Sequence, residues 1–187
     1  MPKPPKPTVD ERIETPMSNA DLEKYSGIKE EDIIKYSDLK NYSKIEELLP
    51  TDKSSRIILI EDAYNRGHWV CILRYGDTIE YFNSYGGKWD TDWKFVNKMM
   101  RKILGEDTNE MTRLMKQAKA DGWKTVYNKK GLQKEGSGIQ TCGRWCVFRI
   151  ETMKIGYNLT EFLELIARLR QENDGATADW VVARYVE

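Results

Sequence analysis

The chain has 187 residues, enough for one domain with a substantial core and too few for two of ordinary size. Thirty acidic residues balance thirty basic ones, which argues against a general nucleic-acid binder, because such domains are clearly basic. No apolar run approaches the roughly 18 residues of a membrane span, the first residues lack the apolar core of a secretory signal, and three cysteines suit free thiols in a reducing compartment rather than a disulfide framework.

Residues 1–17 are rich in proline and charge and are expected to be an extended, flexible segment ahead of a single domain over 18–187. Ser18 suits the N-cap of a short helix that Gly27 ends. The stretch up to Pro50 reads as broken helix. The period then changes. Residues 56–63, RIILIEDA, predict a buried strand. Residues 67–87 predict a hairpin turning at Gly76-Asp77, where glycine in first place suits a type II′ turn. Trp93, Val96, Met100 and Ile103 recur at helical spacing, as do Met111, Leu114, Met115 and Ala118. Residues 124–130 suit another strand, and the glycines of 131–141 mark a loop. From Cys142 the pattern is apolar and helical. Leu159, Phe162, Leu163, Ile166 and Leu169 give one more amphipathic helix, and Thr177 caps a last one. The expected fold class is α+β, a small mixed sheet packed against helices.

His68 is the sole histidine, so any mechanism that needs an imidazole must use it. Cys142 follows the glycine-containing loop and opens an apolar helix. At that position the exposed N–H groups and the macrodipole favour a thiolate, and the same N–H groups can receive a developing oxyanion. Gly143 leaves room beside the sulfur for a substrate backbone. Taken singly, a structural histidine and a core cysteine are the commoner readings. A base also needs an orienting partner on its second nitrogen. With a two-residue turn Tyr75 faces Thr78 and His68 faces Tyr85. Asn83 is then a diagonal neighbour of His68, about 7–8 Å away at Cα on the same face, whereas Ser84 points away. A turn one residue longer would reverse that choice.

These residues together resemble a known family. GHWV, then FNSYGG, then a glutamine-containing loop ending in TCGRWC are similar to the adenovirus-type, adenain-like maturation proteases of the clan that includes the SUMO-deconjugating enzymes. The likeness is greatest to the capsid maturation proteases of virophages, Polinton-like elements and large DNA viruses, and it covers residues 56–150. It implies a papain-like arrangement with Cys142 as nucleophile at the start of a buried helix, His68 as base, Asn83 as orienter and Trp69 packed beside the histidine. Trp69 and Gly143 would border the substrate. The family's oxyanion glutamine would fall at position 136, which is Gly here. Gln133 and Gln140 are the alternatives, and Gln133 is favoured because a side chain two residues before the nucleophile has little freedom to fold back. The implied activity is cofactor-free peptide hydrolysis through an acyl-enzyme, acting on capsid precursors in the virion and in the virus factory of the host cytoplasm.

Other readings stay open. His68, Cys71, Cys142 and Cys146 offer zinc-ligand spacing, but residues three apart in a strand point to opposite faces. A deconjugase for ubiquitin-like modifiers, or a catalytically silent binding module, would share the fold. Residues 93–102 and 113–124 carry basic side chains, Lys94, Lys98, Arg101 and Lys102 among them. These suit a solvated helix face, or else a DNA-activated enzyme of the kind the family contains; a peptide activator is the other form that such activation takes.

Overall fold

A computed structural model of the chain describes residues 6–91, 96–136 and 138–187. Among the described residues five strands form one mixed sheet in the order β1-β2-β3-β4-β5. They are β1 (Ile33–Lys35), β2 (Ser55–Ala63), β3 (Arg66–Tyr75), β4 (Thr78–Phe82) and β5 (Lys124–Tyr127). The central three are antiparallel neighbours, while β1 and β5 lie parallel to β2 and β4. The fold is α+β, as the sequence predicts.

The strands are buried on both faces because their apolar residues occupy both parities. Ile57, Leu59, Trp69, Cys71, Leu73 and Phe82 face one core, and Ile58, Ile60, Val70, Ile72, Ile79 and Tyr81 face another. On the first face lie α2 (Asn19–Ser26), α6 (Cys142–Lys154), α7 (Leu159–Glu172) and α8 (Ala178–Tyr185). On the second lie α3 (Ile45–Leu48) and α5 (Glu110–Ala120), whose buried residues are Met111, Leu114, Met115 and Ala118, the predicted set. Helix α6 packs directly on β3. It is locked there by a buried bidentate pair in which Arg149 donates to Glu80 of β4 at 2.7 and 2.8 Å. Among the described residues no helix is long and apolar enough to cross a membrane.

The β3–β4 hairpin has the predicted register: Tyr75 pairs with Thr78 and Cys71 with Phe82, and Gly76 takes φ +53°. Ser18 and Gly27 cap α2, and Thr177 caps α8, as expected. Three stretches differ. The predicted broken helix before Pro50 holds two 3₁₀ segments, the short strand β1 and the single turn α3. A three-residue strand is too short to show a period, and its Ile33-Ile34 pair suits helix equally well. The N-terminal segment, expected to be extended, contains the helix α1 (Val9–Glu14). Thr8 and Glu11 form a reciprocal capping box at its start, and the carbonyl of Ile13 in its last turn accepts the backbone N–H of Gln140. Met17, which follows, is buried in the first core. The fourth helix, α4 (Lys98–Leu104), starts after Val96; of the predicted apolar set Val96 and Met100 are half-buried and Ile103 is exposed, so the period marks at most a partly covered face. Trp93 and Lys94 lie outside the described residues.

Candidate active site

The hairpin register and the start of α6 converge at one end of the sheet. A cleft of about 340 Å³ is lined there by His68, Cys142, Gln133, Gln140, Tyr85 and Ile60, among others. His68 lies on β3 opposite Ile60 of β2. Its Nε2 lies 2.7 Å from Oδ1 of Asn83, the diagonal partner that the register predicts. That oxygen also accepts the backbone N–H of Tyr85 at 3.0 Å, which fixes the amide's orientation. Nε2 therefore carries the proton and donates it, and Nδ1 is left as the basic nitrogen.

Asn83 is itself fixed. It is fully buried, and the side chain of Asn128 clamps its backbone reciprocally: Asn83 N–H donates to Asn128 Oδ1 at 3.0 Å, and Asn128 Nδ2 donates to the Asn83 carbonyl at 2.6 Å. The loops carrying the two asparagines touch at glycines. A Cβ on Gly86 would come within 2.5 Å of Gly131 N, and Gly86 also needs φ +75°. Tyr85 stacks on the imidazole of His68 with ring centroids 4.5 Å apart.

Gln133 is nearly fully buried and is held at both ends. Its backbone N–H and its side-chain Oε1 bind Ser84, the latter accepting from Ser84 Oγ at 2.7 Å. Its Nε2 donates to Tyr85 Oη and to the Ile139 carbonyl, each at 3.3 Å. These bonds are long, and a developing oxyanion would make a shorter, charge-assisted one. Gln140 also borders the cleft, but it is exposed, and its backbone N–H is tied to the Ile13 carbonyl at 2.7 Å.

Burial sets the electrostatics. It lowers His68 to about 4, with the Asn83 bond only partly opposing the shift. It raises the Cys142 thiol above its ordinary value, although the N–H groups of Trp69, Gly143 and Cys142 itself pull the other way. At pH 7 both shifts favour thiol and neutral imidazole. The helix start is expected to favour a thiolate; here desolvation of Cys142, a residue only 7% exposed, outweighs the helix end. Burial also raises Tyr85, with Cys142, Glu135 and Asp179 adding to the shift.

Two expectations on neighbouring residues need correction. Gly143 is not among the residues lining the cleft. A Cβ there would meet Met17 Cβ at 3.0 Å and Leu22 Cδ2 at 3.2 Å, so its small size admits the N-terminal segment instead of a substrate. Trp69 adjoins His68 in the chain but faces the core on the other side of the sheet, where its indole N–H donates to the Met17 carbonyl at 3.3 Å. One edge of Trp69 lines a separate groove with Asn19, Ile33 and Leu59. Cys71 and Cys146 are buried in the same core.

Sequence reasoning does not assign roles to Ser84, Tyr85 or Asn128. Hairpin arithmetic does place Tyr85 opposite His68, which is a usable signal for the stacked ring. Asn128 binds backbone groups, and backbone partners leave no motif.

No family model matches the chain. Among solved structures, a similar one is the C-terminal Ulp1 protease domain in complex with Smt3, the yeast ortholog of SUMO; the identity is 10%, 92% of this chain and 77% of that one are covered, and the TM-score is 0.39. Among curated proteins, the uncharacterized protein V9 of Sputnik virophage is 34% identical over 135 residues, which cover 72% of this chain and 74% of V9. The chain belongs to the family of that virophage protein.

Proposed function

We propose that the protein is a cysteine endopeptidase with Cys142 as nucleophile, His68 as general base and Asn83 as the residue that orients it. One observation carries the reading: the His68–Asn83 bond leaves Nδ1 basic at a cleft that Cys142 also lines. His68 Nδ1 takes the thiol proton as the sulfur attacks a peptide carbonyl. Gln133 Nε2 and the Cys142 N–H hold the oxyanion. On collapse the C–N bond breaks and His68 returns the proton to the leaving amine. Water then attacks the thioester, His68 takes its proton, and the acid departs with the thiol restored. No step requires a cofactor.

Kinship with a virophage protein and the resemblance of the site motifs to capsid maturation proteases both support capsid precursors as substrates, in the virion and the virus factory. Incubating the protein with the capsid precursor encoded by its own virus tests this. Cleavage at a discrete position, absent in Cys142→Ala, is the expected result. An intact precursor beside a cleaved ubiquitin-like fusion would move the function to deconjugation, and cleavage of the precursor only with DNA present would make DNA an activator.

A further inference from the structure

Asp179, in the first turn of α8, is only 4% exposed and belongs to none of the motifs that mark the site. Three donors converge on its carboxylate. The Thr141 hydroxyl donates to Oδ1 at 2.5 Å, and the Trp145 indole donates to the same oxygen at 3.4 Å. The Lys134 backbone N–H donates to Oδ2 at 2.9 Å. Thr141 immediately precedes Cys142, and Lys134 immediately follows Gln133. One carboxylate thus holds both ends of the loop that separates the two oxyanion donors. Thr141 makes no side-chain cap on α6, because its hydroxyl is committed to Asp179.

We propose that Asp179 is a positioning residue that sets the placement of the Gln133 amide relative to the Cys142 N–H, and so the geometry of the oxyanion hole. The inference rests on the reading of Cys142 as nucleophile. Two acceptor oxygens are required. Asparagine could keep Thr141 and Trp145 on its single oxygen, but its NH₂ would face the Lys134 N–H, donor against donor. Asp179→Asn therefore releases the Gln133 end of the loop and leaves the nucleophile's end tied.

Two small probes separate this role from simple support of the fold. Acylation by p-nitrophenyl acetate passes through an oxyanion, whereas alkylation by iodoacetamide displaces iodide at a saturated carbon and needs no oxyanion hole. Both rates are taken as the part abolished by Cys142→Ser. Losing an oxyanion donor outright costs about 10²–10³-fold, so misplacing one in Asp179→Asn is expected to slow acylation about tenfold or more, with alkylation within about twofold of wild type. Equal acylation rates in the two proteins overturn the proposal, as does a parallel fall of both rates. If Asp179→Asn fails to fold, Thr141→Val decides: slower acylation with unchanged alkylation supports the tether, and an unchanged acylation rate overturns it. A wild type in which Cys142 reacts with neither probe overturns the proposed function and this inference with it, whereas an active wild type with a silent Asp179 overturns the inference alone.

Discussion

At the scale of the residue, the proposed base and nucleophile, His68 and Cys142, are shifted in opposite directions by one cause. Desolvation penalises the imidazolium of His68 and the thiolate of Cys142 alike, so the neutral pair is the stable one. His68 stays deprotonated down to about pH 4, well below the usual value of 6.5, and is available as a base throughout the neutral range. The thiol ionises only above its ordinary value, so the thiolate fraction rises about tenfold per pH unit across the neutral range. The rate of Cys142 alkylation by iodoacetamide should therefore climb continuously from pH 6 to pH 9. A plateau beginning near pH 5 would mean a preformed thiolate–imidazolium pair and would contradict this picture. Asn83 is legible in the sequence itself, because the two-residue turn fixes parity and parity selects Asn83 over Ser84. The same parity turns Ser84 away from the imidazole, yet from there it anchors Gln133. A strand end carries two functional faces, and the sequence pattern distinguishes only which residue lies on which.

At the scale of the element, α6 carries the proposed nucleophile and, in that role, must hold its position against the sheet to within a fraction of an ångström for attack. The Arg149–Glu80 pair does this from the middle of the helix, both side chains fully buried and Tyr75 Oη adding a 2.7 Å bond to Glu80. Removing one partner strands a buried charge, at a cost of about 3–5 kcal/mol. Arg149→Met should lose that much in urea unfolding, and the double variant with Glu80→Leu should recover a large part of it. A loss below about 1 kcal/mol in the single variant would show that the pair does not anchor the helix. The existence and phase of α6 are readable from its apolar pattern, but the pairing partner is not. A glutamate in a strand otherwise rich in apolar residues marks a buried charge without naming its counter-ion.

At the scale of the whole molecule, the proposed active site is assembled from parts distant in sequence. The hairpin supplies the proposed base and orienter, Asn128 clamps the backbone of the orienter, and α6 supplies the proposed nucleophile. The N-terminal segment closes the back of the site. The Ile13 carbonyl accepts from Gln140 N–H, Thr15 from Arg144 at 2.7 Å, and Met17 from Trp69. Its prolines and charges give no sign of this docking, because these hydrogen bonds are accepted by backbone carbonyls, and every residue type has one. The spans of α2, α5, α6, α7 and α8 and the strand order along the hairpin are legible, since each follows from a period, a cap or a turn, and so is the choice of His68, Gln133 and Cys142, which line the cleft. The clamps by Asn128 and Asp179 are not, since they depend on loops brought together only by the folded chain. Covalent labelling with a peptide electrophile, mapped by mass spectrometry, tests most directly whether folding joins Cys142 and His68 into one reactive site. The adduct should form on Cys142, persist in Cys71→Ser and Cys146→Ser, vanish in Cys142→Ser, and slow about 10²-fold or more in His68→Ala. Slow, equal labelling of all three cysteines, indifferent to His68, would contradict such a joint site.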